Sequence, residues 1–207
     1  MKAQLKICGM RVPANIAEAI ALQPAYMGFL MYPGSKRFIA DLDAATIISI
    51  PADIKTTGVF VNEELEAVKK AIDLYHFKAV QLHGNESPDY CMELQGKAEV
   101  IKAFGIDETF DFSTLEAYAD AVDYFLFDTQ TPEHGGSGKA FNWHLLENYT
   151  LQKSYFLSGG IGLANAPGLL EIRDERFYAI DVNSRFEQSP GLKDIARLTE
   201  FKKLLGC

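Results

Sequence analysis

Several things are scarce in this chain, and each scarcity excludes something. Its 207 residues hold three cysteines, Cys8, Cys91 and Cys207. An odd number, widely separated, is neither a disulfide framework nor a zinc-ligand pattern. Free thiols in a reducing cytoplasm are expected. Basic residues are outnumbered: 20 Lys and Arg against 28 Asp and Glu give a formal net charge of -8. The cations are also scattered, which argues against a surface that coats nucleic acid. No apolar run approaches the roughly 18 residues of a membrane span. The opening MKAQLKICGMR has no apolar h-region, so no signal peptide is expected. Low-complexity tracts and Pro/Ser-rich linkers are missing, so one domain over 1–207 is expected.

What is present is a short apolar run followed by an amphipathic stretch, again and again. The runs are Gln4–Cys8, Met27–Met31, Thr57–Val61, Ala79–Leu82, Glu99–Phe104, Tyr124–Phe127, Ser154–Leu157 and Phe177–Val182. Each is short and rich in Val, Ile, Phe or Tyr, as buried parallel strands are. Between them lie helical patterns. Pro13–Leu22 puts Ile16, Ala19 and Ile20 on one side, with proline in the first turn. Leu65, Val68, Ile72 and Tyr75 form a stripe over 63–75, with Asn62 as the expected N-cap. Ser87-Pro88 marks another start, and 194–205 a closing helix. The patterns at Phe112–Tyr118 and Trp143–Tyr149 are the shortest. Eight strand–helix units of about 26 residues fit the lower size limit of a (βα)8 barrel. A doubly wound sheet also alternates strand and helix, but no GxGxxG follows the first strand.

In such barrels the reacting groups sit where strands end. The unusual residues of this chain collect there. The first run ends in Lys6-Ile7-Cys8-Gly9, the second leads to Ser35-Lys36-Arg37, and the fourth ends in Gln81-Leu82-His83-Gly84. The sixth ends in Asp128 with GGSG (135–138) beyond it, the seventh in SGG (158–160), the eighth in Asp181-Val182-Asn183-Ser184. Random placement would not bring these residues to one rim. Cys8 is either a small buried hydrophobe or a base or nucleophile, and its place beside Gly9 at a strand end favours function. Asp128 closes an apolar strand, an expensive position unless it faces a polar site, so it reads as a general acid or ligand contact. Asp181 either does the same or caps a short helix near Ser184. The glycine clusters and NSR (183–185) offer backbone N–H groups to a phosphate. Arg37 either clamps a carboxylate or is a solvated surface arginine, and His83 is a satisfied rim histidine or a ligand contact. An acid and a base, without a metal cluster or dinucleotide fingerprint, suggest proton transfer on a phosphorylated metabolite: an isomerase or a lyase.

Seven stretches run in one order from end to end: KICGM (6–10), GFLMYPGSKR (28–37), GVFVN (58–62), VQLHG (80–84), FDTQTPEHGGSGKAFNW (127–143), LSGGI (157–161) and DVNSRFEQSPGLKD (181–194). Singly each is unspecific. Together they resemble the phosphoribosylanthranilate isomerase family of tryptophan biosynthesis. The resemblance implies a single α/β domain, a (βα)8 TIM barrel of the ribulose-phosphate-binding type, with no cofactor and no metal. It implies an Amadori rearrangement of N-(5-phosphoribosyl)anthranilate, the work of an intramolecular oxidoreductase of aldose–ketose type. Cys8 looks like the general base and Asp128 like the general acid. Arg37 is similar to the contact for the anthranilate end, while His83, Gly136, Gly160, Asp181 and Ser184 resemble ligand-lining positions. The implied partner is a small phosphorylated substrate, with no nucleic acid and no membrane, in a monomer or homodimer. The chemistry would want Asp128 protonated and Cys8 ionised as substrate arrives.

One departure stands out. The family more often reads DVSSGVE after strand eight, and this chain reads DVNSRFE. Arg185 therefore stands at a glycine position, where it either pairs with phosphate or points to solvent. Two other readings compete. An indole-glycerol-phosphate synthase would carry extra residues before strand one and a catalytic lysine there, and its other motifs do not follow Lys6. A non-catalytic phosphosugar-binding barrel would be expected to lose Cys8 or Asp128, and both are present. Met1 and the closing helix lead us to expect a stand-alone chain rather than half of a fusion.

Overall fold

Eight parallel strands pair in sequence order and the last closes on the first. They are β1 (Gln4–Cys8), β2 (Tyr26–Leu30), β3 (Lys55–Phe60), β4 (Ala79–Leu82), β5 (Glu99–Ile106), β6 (Tyr124–Thr129), β7 (Tyr155–Leu157) and β8 (Phe177–Val182). The computed structural model describes residues 3–130 and 140–206. Every strand coincides with an apolar run of the sequence. Closure removes both sheet edges, and it leaves each strand buried on two faces, which is why the runs are apolar rather than alternating.

The two faces make two cores. Inward residues Tyr26, Ala79, Ile101, Ala103, Leu126, Phe156 and Ala179 plug the barrel interior. Outward residues such as Ile7, Phe29, Val80 and Phe125 join a larger core beneath the helices. Above the plug the inward positions turn polar: Lys6, Gln81 and Asp181 are all buried. The next inward positions, Cys8, His83 and Asp128, reach the C-terminal mouth.

The helical layer is thinner than its patterns suggest. α1 (Pro13–Ile20), α3 (Leu65–Tyr75) and α6 (Ile195–Leu205) are the long members; α2 (Ala44–Ile48), α4 (Pro88–Met92) and α5 (Ala166–Leu169) span little more than one turn. The two shortest patterns are 3-10 segments, Phe112–Tyr118 and Trp143–Asn148. Each starts at a side chain that accepts the N–H two residues on, Asp111 at 2.9 Å and Asn142 at 3.2 Å. Segments this short cannot offset the cost of nucleating an α-helix, and the local bond favours the tighter turn. Ser87 caps α4 as expected, its Oγ accepting from Tyr90 N at 3.2 Å. The closing helix is capped by Asp194 and ends at Gly206 in the left-handed region.

Asn62 does not cap α3. The N-cap is Glu64, and Asn62 adopts φ 51°. Its Oδ1 accepts from Asn85 N at 2.6 Å, and its own N–H donates to Glu86 Oε1 at 2.8 Å. Asparagine tolerates the left-handed region, so a bond to the next loop displaced the local cap. The result ties the loop after β3 to the loop after β4, on the mouth side of the barrel.

Candidate active site

A run of polar contacts crosses the barrel just below the mouth. Lys6 Nζ donates to Asp181 Oδ2 at 2.8 Å and to Gln81 Oε1 at 2.5 Å. Gln81 Nε2 lies 2.8 Å from His83 Nδ1, and His83 Nε2 lies 3.4 Å from Asp128 Oδ2. Four strands, β8, β1, β4 and β6, thus contribute to one connected set. The Lys6–Asp181 pair is fully desolvated, so removing one partner would cost about 3–5 kcal/mol. Asp181 Oδ1 is buried without a hydrogen-bond partner among the described residues. The side chain faces the barrel axis and caps no helix.

Cys8 lies on the same inward face as Lys6 and is 4% exposed. Its room comes from Gly28, its partner across β2: a Cβ there would stand 2.6 Å from the sulfur. Gly28→Ala should therefore displace the thiol. A loss of about 1–3 kcal/mol is expected from overpacking, read as a lowered denaturant midpoint. An unchanged midpoint would mean the thiol is free to move. Burial is the largest influence on Cys8 ionisation and pushes the thiol up; Lys6 opposes it, Asp181 adds to it, and Lys193 opposes it. The net direction is upward, because desolvation outweighs two nearby ammonium groups.

Asp128 is the penultimate residue of β6, and both its carboxyl oxygens are directed. Oδ1 accepts from Thr129 N at 2.7 Å, and Oδ2 faces His83. Gly159, in the loop after β7 at φ +88°, allows close packing here: a Cβ on it would fall 2.6 Å from Thr129 N and 2.8 Å from Asp128 Oδ1. β1 and β6 are three strands apart around the barrel, so Cys8 and Asp128 approach the mouth from different sides.

Arg37 is neither solvated nor free. Its guanidinium grips Glu187 in a fork, Nε to Oε1 at 2.8 Å and Nη2 to Oε2 at 2.6 Å. Glu187 begins a small hairpin, β9 (Glu187–Ser189) with β10 (Leu192–Lys193). It also accepts from Lys193 Nζ at 2.7 Å and Gly191 N at 3.1 Å. Lys193 Nζ reaches Asn183 Oδ1 at 2.7 Å, joining the hairpin to the loop after β8. Burial raises the Glu187 carboxyl, but bonds from Arg37 and then Lys193 carry it below its ordinary value.

Gly160 lies in the loop after β7 at φ 60°, its carbonyl accepting from Asn165 Nδ2 at 3.1 Å. Ser184 opens a 3-10 turn, Ser184–Phe186, after β8. The two loops touch, because a Cβ on Gly162 would stand 3.2 Å from Arg185 Cβ. Arg185 itself is exposed. Gly136 lies outside the described residues. The fold therefore brings Cys8, His83, Asp128 and Asp181 into one set and places Gly160, Ser184 and Arg37 in loops of the same end. Between His83, Lys102, Phe104, Tyr118 and Asp128 lies a cavity of about 280 Å³.

Sequence reasoning did not single out Gln81, Glu187, Lys193 or the buried Lys102–Glu86 pair at 3.2 Å. For Gln81 a signal existed: a polar residue two before His83 in a four-residue apolar strand shares its inward face. For Glu187 and Lys193 no local pattern distinguishes them from exposed hairpin charges.

These features have close counterparts among known proteins. A family model described as N-(5'phosphoribosyl)anthranilate (PRA) isomerase matches residues 5–203. The N-(5'-phosphoribosyl)anthranilate isomerase of Parabacteroides distasonis is 44% identical over 200 residues, covering 95% of this chain and 90% of that relative. The phosphoribosyl anthranilate isomerase structure from Thermotoga maritima superposes with a TM-score of 0.86 at 33% identity, covering 99% of this chain and 100% of that one. Another phosphoribosyl anthranilate isomerase, solved with reduced 1-(o-carboxyphenylamino)-1-deoxyribulose 5-phosphate, gives a TM-score of 0.83 at 29% identity, covering 99% of this chain and 100% of that one. With barrel, strand-end motifs and whole-length similarity in agreement, the chain belongs to the N-(5'-phosphoribosyl)anthranilate isomerase family.

Proposed function

We propose that this protein converts N-(5-phosphoribosyl)anthranilate into 1-(2-carboxyphenylamino)-1-deoxyribulose 5-phosphate, a step of tryptophan biosynthesis. The observation that carries the reading is the placement of Cys8 and Asp128 on two sides of one barrel mouth, linked below by a buried polar set. Asp128 protonates the furanose ring oxygen and the ring opens to a Schiff base. Cys8 takes the proton from C2, and the enolamine that results tautomerises to the ketone. C2 is oxidised and C1 reduced within one molecule, so no external electron carrier is consumed; this is an intramolecular oxidoreductase of aldose–ketose type. Acid and base on different strands suit a reaction that needs them on different faces of the sugar.

Binding would divide by chemistry. The loops after β7 and β8, with Gly160 and Ser184, offer backbone N–H groups to the phosphate. Asp181 Oδ1, without a hydrogen-bond partner among the described residues, is available to accept from a sugar hydroxyl. Arg37, held in place by Glu187, presents its remaining N–H groups to the anthranilate carboxylate. Phosphate binding far from the reacting carbons supplies orientation.

The test is the fluorescence decay of freshly made phosphoribosylanthranilate mixed with purified protein. Loss well above the spontaneous rate is the expected result. A decay at the spontaneous rate, with tight binding of a product analogue, would leave a phosphosugar-binding barrel instead.

A further inference from the structure

Gln81 occupies the centre of the buried polar set and is 2% exposed. A primary amide has one end that accepts and one that donates. An ammonium only donates. Lys6 therefore has to face the amide oxygen, as it does at 2.5 Å. Burial works against the charge on Lys6, but the charge of Asp181 and its hydrogen bond oppose it, and the ammonium stays above its ordinary range. With Oε1 committed, the end of Gln81 that meets His83 Nδ1 at 2.8 Å is the NH2 group. Nδ1 has to accept, so it carries no proton, and the single N–H of a neutral ring lies on Nε2. That atom faces Asp128 Oδ2 at 3.4 Å.

We propose that Gln81, oriented by Lys6, is a positioning residue that locks His83 in its Nε2–H tautomer and directs that proton at Asp128. The functional half of this inference rests on Asp128 being the acid. Once Asp128 has given its proton to the ring oxygen, the carboxylate left behind meets two fixed donors, Thr129 N on Oδ1 and His83 Nε2–H on Oδ2. The opposite tautomer would turn a lone pair towards that carboxylate. The 3.4 Å approach is long for a hydrogen bond and is of the kind that tightens as the reacting complex forms. The chain of dependence is Lys6 to amide orientation, amide orientation to tautomer, tautomer to acid.

The tautomer can be read without substrate, by long-range 1H–15N correlation spectra of the labelled wild-type protein near neutral pH. A His83 ring with protonated Nε2 and bare Nδ1 is expected. A ring protonated on Nδ1 would overturn the proposal. Gln81→Glu keeps an acceptor for Lys6 but turns the His83-facing end into an acceptor too, so the proton should move to Nδ1. Gln81→Met removes both bonds and should give a mixed ring. Both variants should lose at least about tenfold in kcat with KM within about threefold, the pattern of impaired proton transfer rather than impaired binding. An unchanged tautomer in Gln81→Glu, or a changed tautomer with unchanged kcat, would overturn it. A wild-type protein with the Nε2–H ring and no turnover would instead remove the isomerase reading and leave the tautomer relay standing.

Discussion

Asp128→Asn is expected to slow turnover of phosphoribosylanthranilate by about two to four orders of magnitude, the usual worth of one general acid. The barrier would rise by about 3–5 kcal/mol. The substitution keeps the shape of the side chain, and its amide oxygen still accepts from Thr129 N, the 2.7 Å bond that anchors Asp128 at the end of β6. Stability and product-analogue binding should therefore hold near wild-type levels. What is lost is the proton for the furanose oxygen, so the ring does not open. Single-turnover fluorescence with enzyme in excess separates this from a binding defect. Rapid decay with both proteins would keep the reaction and move the acid to another residue.

Cys8→Ala should abolish turnover to a similar extent while leaving binding of a reduced product analogue nearly intact. The thiol is small, and Gly28 opposite it has no side chain for alanine to meet, so the fold has little to lose beyond a buried sulfur. Equal loss of binding and turnover would mean that Cys8 shapes the site rather than reacts. The pH dependence gives a second readout. A base works in its unprotonated form, so kcat/KM should rise with pH through the ionisation of Cys8 in the free protein. Burial holds that ionisation above the ordinary thiol value of about 8.5. The rise should therefore continue into alkaline solution instead of levelling off near neutrality. A plateau reached by pH 7 would show that the two ammonium groups, Lys6 and Lys193, outweigh desolvation after all.

The Arg37–Glu187–Lys193 cluster has a pH signature of opposite sense. The folded-state ionisation of Glu187 lies below its unfolded value. Its contribution to stability is thus present above about pH 4.3 and is lost as pH falls through the folded value. Glu187→Gln should flatten the acid side of the stability curve and weaken ligands that carry the anthranilate carboxylate, because Arg37 loses the fork that aims it. Denaturant midpoints measured at pH 3 to 6 check the first point. An acid limb as steep in the variant as in the wild type would assign it to other carboxylates.

The order of the strands, and the rim where the candidate site residues collect, can be read from the sequence. Apolar runs such as Gln4–Cys8, Ala79–Leu82 and Phe177–Val182 match β1, β4 and β8 residue for residue, because a strand buried on two faces is mostly apolar. Cys8, His83, Asp128 and Asp181 were legible as one rim because polar groups at the ends of such runs are costly anywhere else. Period two also puts Lys6 beneath Cys8 and Gln81 beneath His83. The helical layer was less legible: Asn62 lost its cap to the loop bearing Asn85 and Glu86, and two patterns became 3-10 segments. The partners of these residues come from the tertiary fold alone. Lys6 meets Gln81 across 75 residues and Asp181 across 175, and Arg37 meets Glu187 across 150. No local pattern encodes such pairs; they exist because closure of the barrel brings β1 between β2 and β8 and turns β4 to face them. The ionisation of Cys8 belongs to the same class, since desolvation and the distance to two ammonium groups are properties of the closed barrel and not of the KICG motif.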